Sequence, residues 1–333
     1  MSLQFIMGPS GSGKSHYLYQ KVTEEARKHP DKNYFVIVPD QFTMQTQRDL
    51  VMANPNKGIL NVDVLSFHRL AYRIFEETGA GKQTILNDVG KNFVLRKVAA
   101  DCEPELKLLG GNLKKTGFIS ELKSVFSEFM QYDVQAEDLE KLMRGVGEGT
   151  AFYHKLQDMK TIYQGFQSYL GESYITGEEI LEELCRAVPR SALLKDSVLV
   201  LDGFTGFTPV QDKLLKLLLG VCEDVVVTVT VGRNQSKHPL FALSDKTMTS
   251  LRALAGEQGV TIKRPVELYQ KPIYRFRDNG PLEFLESHLF RYSREKYEEE
   301  QDRIQIFSGK QPQDETGFVA QRIRNLVRTR GMR

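Results

Sequence analysis

The sequence predicts an α/β protein: a P-loop parallel-sheet domain of alternating strands and helices, interrupted by an inserted all-helical subdomain. Three observations predict it. The glycine-rich stretch Gly8-Pro9-Ser10-Gly11-Ser12-Gly13-Lys14-Ser15 stands between a short apolar run and an amphipathic one. Short apolar runs at 34–38, 197–201 and 225–231 alternate with segments of helical length. Between residues 84 and 190 the pattern is helical, with no convincing strand.

Taken in order, residues 3–7 read as a buried strand, followed by the glycine loop and a helix over 13–28. Residues 34–38 (Y-F-V-I-V) form the next strand, stopped by Pro39; a helix over 42–53 and a strand over 60–65 follow. Ser66 is placed to cap a helix through Glu77. Strands separated by helices of this length indicate right-handed crossovers and a parallel sheet.

The middle block reads as helices at 87–100, 117–132, 138–144, 152–169 and 177–187, with Phe118, Leu122, Val125, Phe126 and Phe129 recurring at helical spacing. The strand–helix alternation resumes with S-V-L-V-L at 197–201, ending at Asp202. A helix from Pro209, a strand over 225–231, a helix over 244–257 and a strand near 260–262 come next. Residues 271–279 read as a loop, 282–291 as a short helix and 292–302 as a charged connector. A strand at 303–307 and a helix at 315–330 close the chain, as though it stops inside the first unit of a further domain. The expected organisation is therefore 1–83 and 193–292 as two parts of one sheet domain, 84–192 as the helical insertion, and 293–333 as connector and truncated second domain.

Bulk properties exclude several classes. A chain of 333 residues with 41% hydrophobic and 26% charged residues is ordinary for a globular protein. No segment approaches the roughly 20 apolar residues needed to span a bilayer, and no secretory signal opens the chain. The three cysteines, Cys102, Cys185 and Cys222, form no C-x-x-C pair, and the six histidines are scattered. That pattern suits thiols in a reducing cytoplasm and gives no zinc or redox site. A net charge of +2 excludes a histone-like binder while leaving room for a local nucleic-acid groove.

The chemistry sits first in the loop, which fits G-x-x-x-x-G-K-[ST] through Gly8, Gly13, Lys14 and Ser15. Glycines there let backbone N–H groups turn inward around phosphates, with Ser10, Gly11 and Ser12 completing the cradle. Lys14 is placed for the β- and γ-phosphates of ATP, and the Ser15 hydroxyl for magnesium. The helix start adds its positive end. Asp202, closing an apolar strand, reads as the second magnesium partner; the alternative is a strand-end aspartate that caps a turn. The next residue is Gly203, where many ATPases carry the glutamate that orients attacking water. The site is therefore expected to bind nucleotide with little hydrolysis.

The motifs F-I-M-G-P-S-G-S-G-K-S, V-I-V-P-D-Q-F-T-M, V-L-S-F-H-R-L-A-Y-R and V-L-V-L-D-G-F-T-G-F-T-P-V-Q together resemble the start of the AddB (RexB) family. That family is the B subunit of bacterial AddAB-type helicase–nucleases. The resemblance implies a RecA-like core of the superfamily 1 helicase type with a helical insertion. It also implies a longer protein, continuing into a second core domain and a nuclease with an iron–sulfur cluster. Neither the nuclease carboxylates nor cluster-spaced cysteines occur in this chain. Active relatives read D-E-x-Q-D where this chain has D-G-F-T-G, which fits a subunit without motor activity. The implied partners are an AddA-type motor subunit and single-stranded DNA, scanned for the hotspot called Chi.

The resemblance carries DNA-facing roles to Asp40, Gln41, Thr43, Phe67, Arg69, Tyr72, Phe204 and Phe207. Aromatic faces beside a cation suit base stacking and phosphate contact. The competing reading makes Phe67, Tyr72 and Phe207 core aromatics and Asp40-Gln41 a helix cap. The arginines at 322, 324, 328, 330 and 333 read as a solvated helix face rather than a phosphate track. Two other functions stand against the leading one: a P-loop nucleoside or nucleotide kinase, and a scaffold whose loop is a relic.

Overall fold

The computed structural model describes residues 1–55, 57–171, 173–235 and 237–332; Arg333, one of the terminal arginines, lies outside the described residues. The chain divides into two compact units, Met1–Tyr269 and Gln270–Arg333.

The first unit is an α/β structure around one parallel sheet. Its strands are β1 (Ser2–Gly8), β2 (Tyr34–Ile37), β3 (Val62–Leu65), β6 (Val198–Leu201), β7 (Asp224–Thr230), β8 (Thr261–Ile262) and β9 (Val266–Glu267). They lie in the order β3-β2-β6-β7-β1-β8, with β9 also paired to β1, and every pairing is parallel. Both faces are covered, so the central strands are apolar without alternation. In β2, Phe35 and Ile37 enter one core while Tyr34 and Val36 enter the other. In β7, Val225, Val227 and Val229 face the first core and Val226 the second.

On the second face lie α1 (Lys14–Lys28) and α2 (Thr43–Ala53), through Leu18, Val22 and Leu50. The opposite face carries α3 (Phe67–Thr78), α8 (Ile180–Ala187), α9 (Pro209–Leu219) and α10 (Ala242–Glu257). Local sequence explains where these helices begin. Ser66 accepts the Arg69 N–H as cap of α3. Thr208 and Gln211 form a capping box at α9, with Pro209 in the first turn.

The stretch between the sheet's two parts holds α4 (Asp88–Cys102), α5 (Phe118–Gln131), α6 (Ala136–Arg144) and α7 (Ala151–Leu170). Leu95, Phe126, Tyr163 and Phe166 centre a hydrophobic cluster of its own. Contrary to the expectation from sequence, the stretch is not all-helical: β4 (Thr84–Leu86) pairs in parallel with β5 (Tyr174–Thr176). Strands of three residues are too short for alternation to show in a sequence. The last helix assigned to this block, α8, packs instead into the main sheet's core through Ile180, Leu184 and Ala187. One buried carboxylate organises the turn after α4. Asp158 of α7 is 1% exposed and accepts the backbone N–H groups of Lys107, Leu108 and Leu109 at 2.9, 2.7 and 2.8 Å.

The second unit contains α11 (Gly280–His288) and α12 (Pro312–Arg330), with Phe307 and Phe318 stacked at 4.1 Å between centroids. Residues 303–307 are not the strand their pattern predicts. No strand occurs among the described residues of this unit, and a lone one would leave its backbone groups unpaired. Among the described residues no helix is long and apolar enough to cross a membrane.

Removing the Asp158 carboxylate strands three buried or half-buried donors at once. Asp158→Ala is expected to lower unfolding free energy by about 3 kcal/mol, read from the midpoint shift in urea denaturation.

Candidate functional site

In a parallel sheet all strands end on one edge, and ligands of open α/β sheets bind in the crevice beyond those ends. The loop follows β1, Pro39–Thr43 follows β2, Ser66 and Phe67 follow β3, and Asp202 follows β6. The topology thus brings both predicted sets, nucleotide-facing and DNA-facing, to the same edge.

Gly8 closes β1 under tight packing. A Cβ there would stand 2.7 Å from the Leu268 carbonyl oxygen and closer still to the Ser12 hydroxyl. Gly11 and Gly13 have φ of 75° and 85°, the left-handed region that favours glycine. This turns the chain so that the backbone N–H groups of Gly11, Gly13 and Ser15 find no acceptor among the described residues. The Ser12 hydroxyl is likewise buried without a partner among them. Lys14 curls over the loop, donating to the carbonyls of Gly8 and Pro9 at 3.0 and 2.8 Å. Ser10 is exposed at the tip and Ser15 half-buried at the first turn of α1. Free N–H groups, a lysine ammonium and a helix start form a donor set that suits a phosphate chain.

Asp202 is buried at 5% exposure on the neighbouring strand but one, with β7 between β6 and β1. Its Oδ2 accepts from the Tyr19 hydroxyl at 2.7 Å and its Oδ1 from the Thr228 hydroxyl at 2.6 Å. Tyr19 in turn meets the Thr46 hydroxyl at 3.2 Å. Burial first, and the Asp202 charge next, push the Tyr19 phenol far above its usual value, so it stays a donor. Asp202 therefore ties β6 to β7, α1 and α2. Each oxygen keeps a second lone pair that a further hydrogen-bond donor can use. Gly203 has φ of 80° and its N–H reaches the Thr228 hydroxyl at 3.4 Å.

The DNA-facing set divides by exposure. Asp40 and Gln41 are exposed in a single 3-10 turn. Thr43 is buried, and its hydroxyl donates to the Asp40 carbonyl at 3.0 Å. Arg69 is exposed, with no side-chain partner among the described residues. Tyr72, 45% exposed, stands edge-on to Phe75. Phe67, only 4% exposed, is a core residue, so its ring has no open face for a base. It instead supports half-buried Phe204 and Phe207, at 5.4 and 6.3 Å between centroids; those two rings lie 5.3 Å apart.

Sequence reasoning missed Tyr19, Thr46 and Thr228. Only Thr228 had a visible signal, a threonine inside the apolar run V-V-V-T-V.

The fold and this edge define a parallel-sheet α/β protein with a glycine-rich, anion-suited loop at the end of β1. The chain belongs to the AddB N-terminal family, whose model, described as "ADDB, N-terminal", matches residues 5–286. It is similar to the B subunit of the ATP-dependent helicase/deoxyribonuclease of Lachnoclostridium phytofermentans, 44% identical over 98% of this chain. Proteins of the same description from Clostridium kluyveri and Clostridium acetobutylicum are 30% and 31% identical over the whole chain. The chain spans 29% of the length of each of these relatives.

Tyr19→Phe leaves the Asp202 oxygen short of a donor inside the protein. A loss of about 1–3 kcal/mol in stability is expected, measured by denaturant titration.

Proposed function

We propose that this chain is the RecA-like N-terminal part of a helicase–nuclease B subunit, which binds ATP and single-stranded DNA without being a motor. The observation that carries the reading is the loop at residues 8–15, where the N–H groups of Gly11, Gly13 and Ser15 have no acceptor among the described residues and Gly8 leaves no room for a side chain. The strand order supports it, setting Asp202 across one strand from that loop. Magnesium, held through Ser15 and Asp202, would offset the charge of the bound phosphates. Gly203 offers no base for water, so nucleotide binding acts as a state and not as a stroke.

The stretch 84–192 acts in this reading as an insertion in the sheet domain, with β4 at its start paired to β5 ahead of α8. Single-stranded DNA lies along the strand-end edge. Arg69 holds a phosphate, Gln41 and Asp40 face base edges, and Tyr72, Phe204 and Phe207 offer ring faces. The names of the relatives support DNA as the polymer and a second subunit as the partner. An AddA-type motor fits that place, with scanning for Chi as the task. The nuclease and its iron–sulfur cluster belong to parts of the relatives that this chain does not span. A nucleoside kinase is not favoured, since the matched family is the helicase–nuclease one.

Two measurements test this. A fluorescent ATP analogue with magnesium should bind the chain and lose that binding in Lys14→Ala; equal binding by the variant would remove the loop from the site. Arg69→Ala should weaken binding of a labelled single strand several-fold at low salt, and unchanged affinity would take Arg69 out of the groove.

A further inference from the structure

Among the described residues, only α1 and α2 cover the second face of the sheet, against four helices on the first. Beneath α1 this thinner cover leaves a hollow of about 410 Å³ at the amino ends of the strands, the edge opposite the glycine loop. Its volume lies toward the small end of the roughly 300–1,000 Å³ common to small-ligand sites. The floor is a patch of sheet. Tyr34, Val198 and Asp224 stand in register at the starts of β2, β6 and β7, and Val200 and Val226 form the next row inward. Residues two apart on a strand share a face, so Val198, Val200 and Val226 present one apolar surface. Leu18 and Val22, a turn apart on α1, form the roof. A sheet floor under a helix roof makes a slot, and a slot takes a flat body.

Two observations fix what that body carries. Tyr34 is 3% exposed, and its hydroxyl has no hydrogen-bond partner among the described residues. It is not sealed as the Ser12 hydroxyl is, and it stands among Glu25, Lys32 and Glu223, which line the same hollow. Burial chiefly, with the charges of Glu25 and Glu223 set against that of Lys32, holds the phenol above its ordinary value, so the O–H stays intact. A buried hydroxyl of this kind calls for a partner. The charges at the mouth, in contrast, are already answered within the chain. Lys32 meets Glu223 at 2.5 Å and Lys263 meets Asp224 at 2.9 Å. Lys28 and His29 stand 3.3 and 4.0 Å from Glu25, and Lys21 donates to the Gln4 amide oxygen at 3.0 Å. An ion entering the slot would give up its water without gaining an uncommitted counter-charge. What stays open is an apolar slot and one hydroxyl.

We propose that this slot binds a small uncharged aromatic compound of the phenol class, its ring between the three valines and α1 and its oxygen on the Tyr34 hydroxyl. The site shares no residue with the strand-end edge and does not depend on the reading given for it.

The test uses the whole chain with its valine methyls labelled, titrated with phenol, toluene and benzoate. Phenol should shift the methyl resonances of Val198, Val200 and Val226 saturably, and benzoate should bind more weakly than phenol. Tyr34→Phe should weaken phenol about fivefold, the worth of one neutral hydrogen bond, and leave toluene unchanged. Val198→Phe, which grows into the slot from its mouth, should abolish the phenol shifts. Valine resonances that stay put, a phenol affinity untouched by Tyr34→Phe, or undiminished binding in Val198→Phe each overturn the proposal. Benzoate binding at least as tightly as phenol also overturns it, assigning the slot to an anion. Should Tyr34→Phe fail to fold, the phenol and benzoate titrations of the native chain still decide.

Discussion

A carboxylate buried at the end of β6 holds the working edge of this protein together. Asp202 accepts a hydroxyl from α1 and another from β7, and through Tyr19 it reaches α2. α1 is the helix that carries the glycine loop at its start, and α2 follows the turn of Asp40 and Gln41. The carboxylate thereby fixes how the two segments stand relative to the sheet. A buried charge is tolerated only with such partners, so the three hydroxyls are as much a condition of the fold as of the site.

The aromatic side of the edge follows a related logic. Phe204 and Phe207 sit in the segment after Asp202 that includes Gly203 and Gly206, where backbone freedom is high. Phe67 beneath them is fully committed to the core, and it gives two partly exposed rings a rigid seat. Ring faces held in place lose little freedom when another planar group packs on them. Burial of Phe67 and exposure of its neighbours therefore belong to one arrangement.

Much of this was legible in the residues, and the reasons differ by element. The glycine loop, Asp202 and the run of apolar strands were visible because a parallel sheet buried on both faces writes unbroken apolar segments. The start of α9 was visible because Pro209 suits the first turn of a helix; its Thr208–Gln211 capping box emerged only in the structure. β4, β5 and β9 were hidden by their length, and 303–307 shows that a strand pattern is only half of a strand. The partners of Asp202 were not legible as a set: a threonine in an apolar run marks Thr228, but Tyr19, Thr46 and Thr228 come together only once three separate segments are in register. Phe67 was ambiguous for a physical reason, since a ring that supports and a ring that stacks look alike in sequence.

The short β4–β5 pairing has an evolutionary consequence. Thr84 lies beside Tyr174, so the chain leaves and re-enters the sheet region at one place, within roughly 5 Å between neighbouring strands. Everything between is, topologically, a loop whose closure cost grows only with the logarithm of its length. Such a loop can lengthen, shrink or be exchanged between lineages while the strand register and the glycine loop stay untouched. Surface novelty can thus accumulate on the excursion while selection holds the sheet fixed.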